Sequence, residues 1–440
     1  MRFSLLTSLV AIATLAVSVM GASVPVAREE AELAKRDTTK YVFAHFIVGI
    51  VASYTQDDWT NDMKLAQDIG IDGFALNIGK DSYNDAQLGF AYAAAEALNF
   101  KVFLSFDFSY WTSGDATAIA GYITTYGPKA AQFTYNNEVF VSSFVGDGFD
   151  WASVASQSQA IYACPNWQAS SYAGASGVSC GFSWDAWPSA NNDPIDANMT
   201  TAADESYISA LGSNTYMMPV APWFNTHYGP ASYNKNWIFY SDYLWQPRWD
   251  QVLSLAPEFV EIITWNDFGE SHYIGPLHPD DTDVYAGGAT GAVQWVTGMT
   301  HDAWRDVAAP YIAAFKAGAS SPTVTTEELV YYYRPSPKDA SCSDSVAQPT
   351  GYDYDDDSVF VIAMTSSPAT VVITSGSNAA VSIAVPAGIT TVSAPMGTGS
   401  QVFTLTRSGS TVLTGTGGLD VSSTCTVYNF NAYVGSVTAS

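Results

Sequence analysis

From residue 41 to about residue 318 the chain alternates short apolar, strand-like runs with amphipathic, helix-like ones, and that alternation admits few folds. The strand-like runs are 41–48, 73–78, 101–108, 139–145, 160–164, 181–184, 216–224 and 259–265. Between them, residues 58–69 set Trp59, Met63, Leu65, Ala66 and Ile69 at near-helical spacing, and residues 242–255 do the same with Leu244, Trp245, Trp249, Val252 and Leu253. Strands that alternate with helices make a parallel sheet. Eight such units over residues 37–320 predict a (β/α)8 TIM barrel, whose usual size is about 250 residues. A doubly wound open sheet is the competing arrangement. It carries a glycine-rich phosphate loop after its first strand, whereas here that strand ends Phe46-Ile47-Val48-Gly49 with no G-x-G-x-x-G after it.

Past residue 323 the helical spacing stops. Short alternating runs follow at 359–364, 370–374, 381–385, 390–392, 401–405, 411–413 and 424–428, with Gly, Ser, Thr and Pro between them. This is the pattern of a β-sandwich, expected over residues 321–440. The acidic run 353–357 near its start reads as a calcium loop or as a solvated turn.

Arg2 precedes an apolar stretch, 5–20, closed by Gly21-Ala22-Ser23, which is the pattern of a secretory signal peptide over residues 1–22. Read instead as a membrane helix, the stretch falls short of the ~20 apolar residues a bilayer needs. Residues 23–36 end in Lys35-Arg36 and read as a pro-peptide or an exposed linker. A secreted or wall-associated protein is expected, monomeric and free of the membrane once the signal is removed. With Lys+Arg 16 against Asp+Glu 42, the net charge of -26 repels phosphate backbones and excludes nucleic acid as a partner. The four cysteines are expected to pair within each half, Cys164 with Cys180 and Cys342 with Cys425. Their spacings are not those of zinc ligands. Each bridge stabilises by roughly 3 to 5 kcal/mol in the loop-entropy picture. Asn198-Met199-Thr200 is a glycosylation sequon.

A barrel of this kind works where its strands end. Those ends carry His45, Asn77, Asp107 with Trp111 beyond it, Trp167, Trp184, Trp223 with His227 beyond it, and then Thr264-Trp265-Asn266-Asp267-Phe268-Gly269-Glu270-Ser271-His272. Carboxylates beside indoles and amides suit a sugar-hydrolysing cleft. One carboxyl protonates the leaving oxygen, another serves as base or nucleophile, and flat rings face the sugar. Each residue also has a plainer role: Asp107 as a turn cap, His45 as a satisfied core histidine, the tryptophans as packing. Asp267 and Glu270 together are harder to explain that way, because no strong helix follows Glu270 before Pro276.

Several blocks in order resemble a known family. They are Phe43-Ala44-His45-Phe46-Ile47-Val48-Gly49, Gly70-Ile71-Asp72-Gly73-Phe74-Ala75-Leu76-Asn77, Phe103-Leu104-Ser105-Phe106-Asp107, Met217-Met218-Pro219-Val220-Ala221-Pro222-Trp223-Phe224, Lys235-Asn236-Trp237, the run from Glu261 to Pro276, and Asp302-Ala303-Trp304-Arg305-Asp306. On these the chain resembles the fungal α-1,3-glucanases (mutanases) of glycoside hydrolase family 71. The resemblance implies a barrel with an appended sandwich, hydrolysis of internal α-1,3-glucosidic bonds with inversion, and Asp107, Asp267 and Glu270 as the essential acids. The chain departs from the family at Phe268, often Tyr there, and at Ala221, often Ser. Inversion sets the working carboxyls ~6.5–9.5 Å apart. Glu270 is expected as the acid, Asp267 as the group that positions or deprotonates the water, and Asp107 as a sugar-binding or base-sharing partner. His45, Asn77, Trp111, Trp167, Trp184, Trp223, His227, Trp265, Asn266 and His272 are expected to line the substrate. The chemistry requires no metal or organic cofactor. A glycosidase or transglycosylase acting on another wall glucan, or a wall protein that binds glucan without catalysis, fits the same residues.

Overall fold

A computed structural model describes residues 39–278 and 292–439. The expected signal peptide (1–22) and pro-peptide (23–36) lie outside the described residues. No helix among the described residues is long and apolar enough to cross a membrane.

The first part is an α/β fold built on one curled sheet. Its parallel strands are β1 (Tyr41–Ile47), β2 (Gly73–Ile78), β3 (Lys101–Asp107), β4 (Glu138–Phe144), β5 (Ile161–Pro165), β6 (Cys180–Phe182), β7 (Thr215–Val220) and β8 (Phe259–Ile262). Their order across the sheet is β5-β4-β3-β2-β1-β8-β7-β6, every neighbouring pair parallel. The two outer strands, β5 and β6, come together at one seam. A parallel bridge pairs Asn166 with Phe182, Ser179 N donates to Ala163 O at 3.0 Å, and the Cys164–Cys180 disulfide crosses it.

Most connections are helical. The helix α1 (Gln56–Asp68) starts where Thr55 and Asp58 cap each other reciprocally, and it buries Trp59, Met63 and Ala66 against the outside of the sheet. The strands are buried along nearly their whole length, as a parallel sheet covered on both faces must be. Side chains alternate between the two faces. Val42, Ala44 and Phe46 join the outer core under the helices, while Phe43, Phe103, Phe140 and Phe259 fill the inside. Those inner rings meet edge to face, Phe43 on Phe103 at 4.9 Å and Phe140 on Phe259 at 5.3 Å. One step up the same faces stand His45, Ser105, Ser142 and Glu261, a buried polar layer directly beneath the strand ends.

The second part holds two four-stranded antiparallel sheets. One runs β13 (Gly388–Pro395), β10 (Ser358–Thr365), β9 (Glu328–Tyr333), β16 (Tyr433–Thr438). The other runs β12 (Val381–Val385), β11 (Ala369–Ser375), β14 (Gln401–Arg407), β15 (Ser410–Thr416). Leu329, Tyr331, Val361, Val371, Ile373, Phe403 and Leu405 share one core between them. The opposite face of the first sheet packs on the α/β part. Tyr332 meets Trp304 at 4.7 Å and donates to Asp242 O, and Arg334 is buried between Asp242 and Asp355, 2.6 and 2.7 Å away. Cys342 is bonded to Cys425. Residues 353–357 hold a 3-10 turn, Tyr352–Tyr354, and the ion-paired Asp355.

Candidate active site

The loop that leaves β8 is fastened at many points. Trp265 N donates to His45 O at 2.7 Å, and the Asn266 side chain both accepts from Ile47 N (2.8 Å) and donates to Ile47 O (3.1 Å). Thr264 N donates to His272 O, and Ile274 N returns to Thr264 O. The Ile263–Thr264 peptide is cis. Gly269 lies against the Tyr228 hydroxyl so closely that no Cβ fits there. Held by these hydrogen bonds, the loop presents Asp267 and Glu270 at the mouth of the curled sheet with 21% and 17% of their side chains exposed, enough for a substrate to reach.

Asp267 N donates to Thr264 Oγ1 at 2.7 Å, and Glu270 N donates to Asp267 Oδ1 at 3.0 Å. Lys235 Nζ donates to Glu270 Oε1 at 2.8 Å. His272 Nε2 lies 3.2 Å from Glu270 Oε2 and 3.8 Å from Asp267 Oδ2. Ligand atoms of Asp267, Glu270 and His272 all fall within 4.8 Å of one another, so the three could hold a cation. The Lys235 ammonium already supplies positive charge on Glu270.

Two adjacent carboxyls cannot both ionise easily. Burial pushes the Asp267 carboxyl up and the Glu270 charge adds to this, against His272 and Lys235. Burial also works to raise Glu270, but hydrogen bonds and charge from His272 and Lys235 outweigh it and hold Glu270 down at about 2. Of the two carboxyls, Asp267 is therefore the one that takes up a proton first as pH falls. Lys235 keeps its proton: burial works against its charge, and Glu270, Asp267 and Tyr233 more than restore it.

Asp107 ends β3 facing the same mouth, with Oδ1 accepting from Ser109 N at 2.8 Å. Burial and the charge of Asp107 push the Tyr110 phenol up, Tyr233 and Asp81 add to the effect, and Lys235 opposes it. Tyr110 therefore feels both the carboxyl at the end of β3 and the Lys235 ammonium.

A loop carrying one carboxyl pushed up and a neighbour held down, at the open end of a curled parallel sheet, is a place for acid–base chemistry. The sequence model of glycosyl hydrolase family 71 matches residues 38–440. The chain belongs to glycosyl hydrolase family 71. It is 49% identical to a mutanase of Penicillium rubens over 417 residues, 92% of this chain and 91% of that one. A glucan endo-1,3-α-glucosidase of Schizosaccharomyces pombe is 39% identical over 418 residues, covering 90% and 94% of the two chains. An ascus wall endo-1,3-α-glucanase of the same organism is 30% identical over 426 residues, covering 89% and 96%.

Within this family 71 glycoside hydrolase, several residues expected to face substrate lie elsewhere. Trp111 is buried against Phe106 and donates to Ile78 O at 2.8 Å. Trp167 is buried against Tyr172, and Trp265 packs on Phe74. Trp223 donates to Phe430 O and lies under Arg334 at the junction with the C-terminal sheets. His227 is buried between Asn236 Oδ1 (2.7 Å) and Asp344 Oδ2 (2.9 Å). These rings serve packing because a strand that ends in an indole turns it outward to the helices as readily as inward. Trp184 alone of the five proposed indoles is only partly buried, edge-on to His45 at 4.8 Å. His45 lies on the floor with Nδ1 2.7 Å from Glu261 Oε1, Asn77 is buried at the end of β2, and Asn266 and His272 hold the loop. Asn198 is exposed.

Around the pair stand groups that were not among the expected site residues: Lys235, Tyr228, Tyr110 and Tyr233. Tyr110 and Tyr233 are 62% and 54% exposed, open enough to offer a face to a sugar. Lys235 stood in the Lys235-Asn236-Trp237 block, where nothing in sequence alone linked it to Glu270.

Proposed function

We propose that the chain hydrolyses internal α-1,3-glucosidic bonds of fungal cell-wall α-glucan. The observation that carries this reading is the Asp267–Glu270 pair, one carboxyl pushed up and its neighbour held down, on the loop at the open end of the sheet. The names of the relatives, mutanase and endo-1,3-α-glucosidase, support the same substrate. Asp267 donates its proton to the leaving oxygen. Glu270 stays ionised and, through its charge, keeps that proton on Asp267 until the bond breaks.

Inversion needs a water between base and anomeric carbon, with carboxyls ~6.5–9.5 Å apart. Asp267 and Glu270, with oxygens within 4.8 Å, leave no such gap. Asp107 supplies the base from across the mouth. Three strand spacings, roughly 14 Å along the sheet, separate β3 from β8, and curling of the sheet draws the side chains closer. Tyr110, Tyr233 and Trp184 bear on the sugar rings in place of the buried indoles.

The fold is read as a (β/α)8 barrel over residues 37–320, closed at the β5–β6 seam, with a β-sandwich over residues 321–440. The shared core of the two antiparallel sheets supports the sandwich. Two disulfides and the apolar stretch at 5–20 support secretion, with action as a monomer in the wall or medium. Incubation with insoluble α-1,3-glucan and, separately, β-1,3-glucan tests the reading: soluble α-1,3-linked oligosaccharides are expected from the first only. Release from the β-linked polymer, or tight retention without new reducing ends, would overturn it.

A further inference from the structure

One short segment of the C-terminal part reaches the hairpin whose second strand directly follows Lys235. Residues 344–350 run along the hairpin formed by Asn225–His227 and Asn236–Ile238. Thr350 N donates to Asn236 O at 3.0 Å and Ile238 N donates to Thr350 O at 3.0 Å, so the segment extends the hairpin by a parallel bridge at Trp237. Asp344 is the pivot. Its Oδ2 lies 2.9 Å from His227 Nε2 and accepts from Tyr428 N at 2.9 Å, and its Oδ1 accepts from Val346 N at 2.9 Å. The other ring nitrogen of His227 faces Asn236 Oδ1 at 2.7 Å, and the Asn236 amide donates to Ala347 O at 2.8 Å. Asn236 follows Lys235 directly, and Lys235 O accepts from Tyr228 N at 2.6 Å. Two residues before Asp344, Cys342 is bonded to Cys425, which ties the segment back to its own part of the chain.

The Asp344 and His227 side chains are 9% and 3% exposed. Burying an ionisable pair at a junction is a poor way to gain stability, because apolar residues of the same size hold two surfaces together as well or better. What such a pair does supply is a fixed register. The Lys235 side chain needs one. It is 45% exposed and long, and its ammonium contributes to the site only while it stays on Glu270.

We propose that Asp344 is a positioning residue for the hydrolysis: reaching over from the C-terminal part, it fixes His227 and Asn236 and thereby holds Lys235 against Glu270. This rests on the reading of Glu270 as a working carboxyl. The charged and titratable groups around Lys235 are Glu270, Asp267, Tyr233 and Tyr110, and those around Glu270 are Lys235, His272, Asp267 and Tyr228. Slackening Lys235 therefore removes a cation from Glu270 and leaves His272 as its remaining cationic or donating neighbour.

The test compares full-length Asp344→Ala and Asp344→Asn with wild type on a soluble α-1,3-linked gluco-oligosaccharide, measuring kcat, KM and the pH profile of kcat. Arg407→Ala serves as the control, since Arg407 contacts Glu327, Ser367 and Pro368 within the C-terminal part. Asp344→Ala is expected to lower kcat roughly 10- to 100-fold, leave KM near wild type and move the acid limb to higher pH. Asp344→Asn keeps one acceptor for His227 and should recover part of the loss. Arg407→Ala should lower Tm without moving the acid limb. A folded Asp344→Ala with the wild-type acid limb overturns the proposal. If that variant does not fold, Asp344→Asn decides on the same criterion. Glu270→Gln separates the two levels: full activity there defeats the reading of the site, whereas an inactive Glu270→Gln beside a normal Asp344→Ala defeats the positioning role alone.

Discussion

The ammonium of Lys235 lies 2.8 Å from Oε1 of Glu270, and the two residues come from different elements, the hairpin before α2 (Trp245–Leu255) and the loop after β8. This contact, with His272 on the other oxygen, holds Glu270 down at about 2 although burial works to raise it. Lys235→Met should let the Glu270 carboxyl rise, and the acid limb of the activity profile should move up by about one pH unit. An unmoved acid limb in the folded variant would show that Lys235 does not set the charge of the pair.

Asp267→Asn, Glu270→Gln and Asp107→Asn should each fold and lose reducing-sugar release by about 10²- to 10⁴-fold. Azide can stand in for a missing base but not for a missing acid. It should restore Asp107→Asn with formation of glucosyl azide, and leave Asp267→Asn inactive. Restoration of Asp267→Asn instead would exchange the two roles.

The aromatic residues divide by exposure. Tyr110→Ala and Tyr233→Ala remove open rings beside the carboxyls, so KM should rise while Tm stays near wild type. Trp223→Ala and Trp265→Ala remove buried ones, and urea unfolding should register a loss of about 3–5 kcal/mol. A rise in KM for Trp265→Ala at unchanged stability would return that ring to the substrate.

Asp306, on α3 (Ala303–Lys316), is partly buried beside Glu328 of β9, and that burial followed by the Glu328 charge pushes its carboxyl up to about 7. A carboxyl with a raised folded pKa contributes stability that is fully present below the unfolded value near ~4 and is lost as pH rises through the folded one. Stability should therefore fall between about pH 4 and 7, and thermal melts of Asp306→Asn should show that decline removed. Parallel pH curves for variant and wild type would contradict this assignment.

Cys164–Cys180 crosses the β5–β6 seam, where one bridge and few backbone hydrogen bonds join the strands. The paired replacement Cys164→Ser/Cys180→Ser closes no 16-residue loop and should cost about 3 kcal/mol in denaturant unfolding. Unchanged stability would mean that the seam holds without its covalent tie.

Much of the fold was legible because local pattern and tertiary structure agree. The eight apolar runs coincide with β1 to β8, since a parallel sheet buries both faces and its strands read as continuous apolar segments. In the C-terminal part Glu328–Tyr333 and Tyr433–Thr438 were missed. The first is buried throughout and so lacks the period of two that marks a half-exposed strand, and the second is short and glycine-interrupted. At the site, Asp107, Asp267 and Glu270 were legible as carboxyls at strand ends. The direction of an indole at a strand end depends on which side of the sheet its position faces, so Trp111, Trp167, Trp223 and Trp265 went to the core instead. Sequence could not link Lys235 or Asp344 to the site for a further reason: their contacts form only where distant segments meet, 35 residues apart for Lys235 and Glu270 and 117 for His227 and Asp344.

The most direct measurement is a crystal structure of Asp267→Asn with an α-1,3-linked gluco-oligosaccharide spanning the site. The account predicts the scissile glycosidic oxygen within about 3.2 Å of the substituted amide at position 267, with Asp107 on the opposite side of the anomeric carbon. A sugar chain bound away from that loop, or with Asp107 out of reach of the anomeric carbon, would contradict it.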